Sequence, residues 1–172
     1  MGYTNTNTPE SERDEARTPL WLFKWLDERF HFGVDLAATA DNTLCPLYFD
    51  RTADSLLANW HLCTSAGFLN PPYSNLGPWL LKAGRERWEG FTTVMVIPAP
   101  NGEAHTRLLF DRATEIIDIV GRVNFLRPDG TEMKGNNRGT CVAVFGSDSG
   151  LAHRVRQHRW YVMRDEIKSK HS

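Results

Sequence analysis

The tetrapeptide Asn70-Pro71-Pro72-Tyr73 has the residue types needed to hold an exocyclic amino group of a nucleobase for methyl transfer. Such an amine is a poor nucleophile because its lone pair is delocalised into the ring. The side-chain oxygen of Asn70 and the backbone carbonyl of Pro71 could accept both amine hydrogens, which favours a pyramidal nitrogen with its lone pair aimed at an electrophilic methyl group. The paired prolines keep the carbonyl out of a strand ladder, and Tyr73 can stack on an extruded base.

The placement of this motif supports that interpretation. The preceding residues Gly67-Phe68-Leu69 predict a strand that the prolines end, and in open α/β sheets ligands bind beyond the carboxyl ends of strands. The alternative is a proline-stiffened turn, but Asn70 and Tyr73 would add little packing there. We therefore interpret positions 70–73 as a functional site.

Around the motif, sequence patterns alternate between helix and strand. Thr18-Pro19 is typical of a helix start, and apolar residues recur at helical spacing from there to Phe30. The β-branched run Thr92–Ile97 predicts a strand buried on both faces. The remaining elements are predicted helices at 76–88 and 103–113 and predicted strands at 32–36, 116–120, 123–126 and 141–145. This order predicts an α/β sandwich with a largely parallel sheet, in which the late strands form an antiparallel hairpin at one edge.

Composition and missing motifs exclude several classes of protein. The 172 residues are 41% hydrophobic and 24% charged, with a net charge of -1, which fits one soluble domain without an overall basic field. No apolar run is long enough for a membrane span, no leader is recognisable, and three cysteines without a CxxC pair fit a reducing compartment. A phosphate-binding GxxxxGKS/T loop, a GxSxG elbow and zinc-ligand spacing are absent from the sequence. We expect a cytoplasmic protein that binds neither membrane nor metal.

The two ends of the chain differ from the middle in charge. Residues 1–17 are acidic and contain almost nothing apolar, which predicts a disordered arm. Residues 151–172 contain six Lys or Arg against two acids, interleaved with histidines and aromatic residues. This basic C-terminal segment is either solvated or a contact to phosphates. One central domain is therefore expected at 18–150.

The ordered segments of the chain resemble the phage-type (Dam-type) DNA N6-adenine methyltransferases, which use S-adenosylmethionine. The Thr-Pro segment comes first, a cofactor-like strand next and the Asn-Pro-Pro-Tyr motif after it, as in larger adenine methyltransferases. The resemblance covers residues 18–145 and is carried by the segments 18–23, 32–39, 42, 54–56, 60, 70–75, 121–125 and 141–145. It implies a Rossmann-like methyltransferase sandwich at 18–150, double-stranded DNA as substrate, and a protein of the bacterial cell of phage or prophage origin.

Carried over position by position, the resemblance also implies the site residues. The target amine is held by Asn70, Pro71, Pro72 and Tyr73. The positions implied for the cofactor are Thr18, Pro19, Asp35, Ala37, Asn42 and Asp54.

Within this set, Asp35 matches the acid that contacts the amino-acid part of the cofactor. Thr18 and Pro19 match the segment that covers its methionine end, and Asp54 is assigned as a partner of the adenosyl part. Both acids could instead cap helices. The loop that begins at Ala37 has small alanines where larger enzymes have a Gly-rich turn, so Asn42 is only a candidate for holding the ribose.

DNA contacts are expected from the turn-rich loop 126–140. Its basic residues can meet phosphates, and paired asparagines can read the edge of an adenine. An ordinary solvated hairpin loop is the alternative. The residues assigned to DNA are Ser74, Arg122, Arg127, Lys134, Asn136, Asn137 and Arg138.

Other substrates for the same acceptor pair stay open. N4 of cytosine, an RNA base and a protein glutamine all present a planar NH2 group. Cytosine enzymes, however, usually have a Ser-Pro-Pro-Tyr pattern at this position. A non-catalytic DNA-binding protein with the same fold is a third hypothesis, disfavoured because Asn70 and Tyr73 are both present. A GATC recognition sequence follows from the resemblance alone, and homodimer formation is left open.

Overall fold

The computed structural model describes Pro9 and residues 13–100, 102–134, 138–146 and 158–171. Its helices are α1 (Leu20–Phe30), α2 (Leu76–Glu86), α3 (Glu103–Arg112) and α4 (Arg164–His171). Its strands are β1 (Val34–Asp35), β2 (Leu47–Tyr48), β3 (Ala66–Leu69), β4 (Thr92–Pro98), β5 (Glu115–Val120), β6 (Thr140–Phe145) and β7 (His158–Met163). Short 3-10 turns lie at Trp60–Leu62, Tyr73–Asn75 and Arg87–Glu89. Within the described residues, no helix is both long and apolar enough to span a bilayer.

The strands form one seven-stranded sheet in the order β2-β1-β3-β4-β6-β5-β7. Strand β6 is antiparallel to both of its neighbours, and the other pairings are parallel. The predictions of a largely parallel sheet and of an antiparallel pair among the late strands are thus confirmed, but the placement of that pair at an edge of the sheet is wrong. Because β7 pairs beyond β5, the antiparallel strand lies inside the sheet.

The segment 123–126 is not a strand of this sheet, so that prediction is also wrong. The chain turns at Gly121, whose φ is 107°, a left-handed value that favours glycine. Val123 and Phe125 are then buried, and Leu126 forms only isolated bridges, with Arg17 and with Glu132.

The central strands are buried on both faces, as their apolar runs predict. In β4, Val94 and Val96 belong to the cluster that contains the buried residues of α1. Met95 and Ile97 point to the opposite cluster, which holds the buried residues of α2 and α3. The molecule is therefore a mixed α/β sandwich with helices on both sides of the sheet.

The described part of the basic C-terminal segment belongs to the same sandwich. Strand β7 pairs with β5, and α4 packs against α1. Glu115 of β5 accepts two hydrogen bonds from Arg29 of α1, at 2.9 and 2.7 Å, and another from the indole of Trp160 on β7. The buried His171 lies 3.2 Å from the carboxylate of Glu28. Residues 158–171 are thus joined to the rest of the fold by polar side-chain contacts of Trp160 and His171 as well as by the strand ladder.

Candidate functional site

The site lies where β1, β3 and β4 end at one edge of the sheet. These three strands are parallel, so their carboxyl ends meet there. Asp35 is the last residue of β1, and Asn70 follows β3 directly. The sequence prediction that the Asn-Pro-Pro-Tyr motif follows a strand is confirmed, and every residue of that strand, β3, is buried.

The side-chain amide of Asn70 is held on both sides. Its Nδ2 donates to the carbonyl of Ala16 at 2.7 Å, and its Oδ1 accepts from the hydroxyl of Tyr73 at 2.8 Å. Burial raises the pKa of Tyr73 far above its usual value, so the phenol is neutral and can donate. An amide oxygen has two lone pairs. Oδ1 therefore keeps one acceptor position for a further donor.

Residues Arg13–Arg17, here called the N-terminal clasp, lie against this motif. The carboxylate of Asp14 accepts from the backbone N–H of Ser74 at 3.0 Å and from its hydroxyl at 2.5 Å. At the other end of the clasp, Arg17 and Leu126 exchange backbone hydrogen bonds of 2.8 and 2.9 Å. The expected disordered arm stays a prediction for the residues before the clasp, and the hydroxyl of Ser74, assigned to DNA from the sequence, already donates to Asp14.

Asp35 is a buried carboxylate with weak partners. It is only 4% exposed, and it accepts from the backbone N–H groups of Ala37 and Leu44 at 3.4 Å each. Burial raises the pKa of Asp35 from 3.8 to about 6, and these two hydrogen bonds lower it only partly. Among the described residues no cation pairs with it. A buried acid in this condition can receive an ammonium group.

Two cavities lie side by side on the Asp35 side of the motif. The first, here the Asp35 cavity, measures about 260 Å³, and the second, here the Asp54 cavity, about 540 Å³. Both are lined by Asn70, Ala37, Asn42 and residues of the clasp. We call these two adjoining cavities together the cleft; their walls include Asp35, Asn70 and Asp54.

A third cavity, here the Tyr73 cavity, also measures about 260 Å³. Its apolar walls come from Leu76, Ile97, Phe125 and Met133, next to the ring of Tyr73. That ring stands edge-on to Phe125, with the ring centres 6.0 Å apart. Basic side chains also line this cavity: Arg13, His105, Lys134 and Arg138.

Most cofactor residues implied by the resemblance lie in the cleft. Thr18 lines the Asp35 cavity, and its buried Oγ1 has no hydrogen-bond partner among the described residues. Pro19, also implied for the cofactor, precedes α1 and lines neither cavity. Asn42 accepts from the backbone N–H and hydroxyl of Thr39 at 2.7 and 3.2 Å, which shapes the loop.

Asp54 lies in a turn with a left-handed φ of 38°. Its backbone carbonyl accepts from Leu57 and Ala58, and no α-helix begins there, so the sequence alternative of a helix cap is wrong. Asp50, which the sequence analysis did not single out, lines the same cavity. Its carboxylate accepts hydrogen bonds from the backbone N–H groups of residues 52 and 53 and from the hydroxyl of Thr52.

Some of the residues assigned to DNA line a cavity of the site and others do not. Lys134 and Arg138 line the Tyr73 cavity. Arg122 and Arg127 line none of the three cavities, and Arg127 donates to the carbonyl of Glu132 at 3.0 Å. The assignments to Asn136 and Asn137 lie outside the described residues.

Four further residues of these cavities were missed by sequence reasoning: Arg13, Phe49, Trp79 and His105. They carry no motif, and only the tertiary fold brings them to the motif. Within the described ranges, no group of three or more His, Cys, Asp or Glu side chains is arranged to hold a metal ion.

Comparisons with known proteins agree on one family. A family model described as DNA N-6-adenine-methyltransferase (Dam) matches residues 5–170. A DNA N-6-adenine-methyltransferase of Escherichia phage T1 is 28% identical over 159 residues, which cover 83% of this chain and 66% of that relative. One from Haemophilus phage HP1 is 28% identical over 149 residues, covering 83% of this chain and 84% of the relative.

Proposed function

Because the chain belongs to the DNA N-6-adenine-methyltransferase (Dam) family, we propose that it methylates N6 of adenine in double-stranded DNA with S-adenosylmethionine as donor. One observation carries the proposal. Asn70 lines the cleft that contains Asp35, and its amide is bonded to Tyr73, which lines the separate Tyr73 cavity. An acceptor at the junction of two cavities is suited to a reaction between two ligands.

The cleft fits the proposed cofactor in the chemistry of its donors and acceptors. Asp35 offers a buried carboxylate that no cation of the described residues pairs with, and Thr18 offers a buried hydroxyl with no hydrogen-bond partner among those residues. At the far end Asp54 can accept from ribose hydroxyls, while Phe49 supplies an aromatic surface. When bound, the cofactor supplies an electrophilic methyl group. A Rossmann-like grouping of the fold is part of this proposal.

The Tyr73 cavity fits a single base taken out of the duplex. Its apolar walls suit the faces of a base, and its basic side chains suit the neighbouring phosphates. The free acceptor position of Asn70 Oδ1 and the carbonyl of Pro71 then receive the two amine hydrogens. Pro71 is buried and Asn70 is half-buried, and a hydrogen bond that is shielded from water is electrostatically stronger than one in water. The amine lone pair is left for the methyl group.

Transfer of a labelled methyl group to plasmid DNA, followed by nucleoside analysis, tests the proposal. We expect label in N6-methyladenine, with the rate of transfer lowered about a hundred- to a thousandfold by Asn70→Ala. Short duplexes with and without GATC test the recognition sequence. Label confined to cytosine, or transfer only when RNA or protein is offered in place of DNA, would identify another substrate. DNA binding without any transfer would indicate a non-catalytic protein and contradict the proposal.

A further inference from the structure

The N-terminal clasp touches the catalytic motif at two points. Asp14 binds Ser74, the residue that follows the motif, through both carboxylate oxygens. Two residues later the carbonyl of Ala16 accepts from Asn70 Nδ2 at 2.7 Å. The backbone pair of Arg17 with Leu126 anchors the far end. The Ala16 carbonyl is thereby held between two fixed points.

The orientation of the Asn70 amide, that is, which side Oδ1 and Nδ2 each face, depends on this carbonyl. An amide side chain that turns by half a rotation exchanges its acceptor for a donor. The hydroxyl of Tyr73 cannot prevent that turn, because a hydroxyl can either donate or accept. The carbonyl of Ala16 can only accept, so it must face Nδ2. Oδ1 is then the atom available to an incoming amine, and a turned amide would oppose that amine with another donor.

We propose that Asp14 is a positioning residue: it holds the clasp so that the Ala16 carbonyl fixes the Asn70 amide in the orientation needed for catalysis. This inference rests on the proposed function, since it takes Asn70 as the acceptor of the target amine. Asp14 touches no reacting atom in this scheme and acts through Ala16. Asp14 is half-buried and Ser74 is exposed, so their contact can be removed without opening the core.

The first test compares Asp14→Ala in two backgrounds. In the wild-type chain we expect kcat for DNA methylation to fall about ten- to a hundredfold, as for other losses of alignment. In the Asn70→Ala background the same change should cause no further loss, because the group it positions is gone. Glu89→Ala, at an exposed acid beyond the end of α2 that lies opposite the motif, is the matched control and should leave kcat unchanged in both backgrounds.

Ser74→Ala removes the hydroxyl's hydrogen bond to Asp14 and keeps the one from the backbone N–H. We expect a smaller loss of kcat, with no further loss on adding it to Asp14→Ala. This variant also keeps the inference testable if Asp14→Ala fails to fold, which its thermal unfolding curve would reveal.

A pH profile gives a signature that a general structural role would not produce. In Asn70→Asp, one oxygen of the ionised carboxylate faces the Ala16 carbonyl, and neither of these two oxygens can donate. Only the protonated acid can donate to the Ala16 carbonyl while its own carbonyl accepts from the amine. The kcat of Asn70→Asp should therefore rise as the pH falls. Adding Asp14→Ala should flatten that rise, because the carbonyl is no longer held in place.

The outcomes separate the inference from the proposed function. No methylation of adenine by the wild-type chain would overturn the proposed function. Methylation that depends on Asn70 but not on Asp14 would overturn the inference alone. Equal losses from Asp14→Ala in both backgrounds would also overturn it, because Asp14 would then act by a route other than Asn70.

Discussion

Replacing Asp35 by asparagine should stabilise the protein without its cofactor and weaken cofactor binding. Burial raises the pKa of this carboxyl from 3.8 to about 6, and each tenfold change in proton affinity corresponds to about 1.4 kcal/mol. Keeping the group ionised in the fold therefore costs about 3 kcal/mol. Asparagine has nearly the same shape but no charge, and its Nδ2 cannot accept one of the two backbone hydrogen bonds. We expect Asp35→Asn to raise the free energy of unfolding by about 1 to 3 kcal/mol at pH 7.5.

The sign of the pH dependence follows from the direction of the shift. A carboxyl whose pKa is higher in the folded state binds its proton more tightly there, so it destabilises the fold above pH 6. That destabilisation is relieved as the pH falls from about 6 towards 3.8. The advantage of Asp35→Asn over the wild-type chain should therefore shrink over this range. Urea unfolding followed by tryptophan fluorescence, at pH 7.5, 6 and 4.5, measures both curves.

Cofactor binding should change in the opposite direction. An ammonium group beside Asp35 favours the ionised carboxylate, so the wild-type affinity should fall as the pH drops below about 6. Calorimetry should show a large loss of affinity for Asp35→Asn at pH 7.5, and Asp111→Asn, an exposed acid on α3, should change neither property. A variant less stable than wild type at pH 7.5, or a stability difference that does not depend on pH, would refute the reasoning.

Three further changes probe the rest of the site. Asn70→Ala should lower kcat about a hundred- to a thousandfold while cofactor affinity stays within about threefold of wild type; near-normal turnover would contradict the acceptor role. Thr18→Val should keep the thermal stability of the cofactor-free protein, because the buried hydroxyl has no partner among the described residues, yet weaken cofactor binding about three- to tenfold by calorimetry. Arg138→Ala should lower the salt slope of DNA binding by about one in a filter-binding series, as for one lost phosphate contact, and an unchanged slope would move the DNA surface away from the Tyr73 cavity.

Local patterns were sufficient to predict the elements that carry the motif. The β-branched run of β4 and the prolines after β3 indicate where strands lie and end, whatever the rest of the chain does. Trp60, a large aromatic residue of a type common in protein cores, is fully buried, and its indole donates to the carbonyl of Ser55 at 2.8 Å. These signals are local because burial and backbone geometry determine them within a few residues.

Long-range pairing was beyond the reach of the sequence. The place of β6 between β4 and β5 is a matter of strand order, which no single segment encodes. The clasp has too few apolar residues to predict a packed segment, and its order comes from contacts such as Asp14 with Ser74, 60 residues away. The basic residues showed a similar limit, because charge alone could not separate Arg138, at the Tyr73 cavity, from Arg122, which lines none of the three.

The packing of α4 on α1 bears on how this chain matures during its synthesis. Helix α1 precedes every strand, whereas α4 follows all of them, so the ribosome releases residues 164–171 after the whole sheet has emerged. Until then the buried side chain of Ile167 and the partner of Glu28 are missing from the α1 face. The nascent polypeptide thus cannot complete its core before translation reaches α4, although early elements begin to fold as they emerge. A chain that ends before α4 would leave α1 incompletely covered, and we expect such a chain to be degraded by proteases more readily.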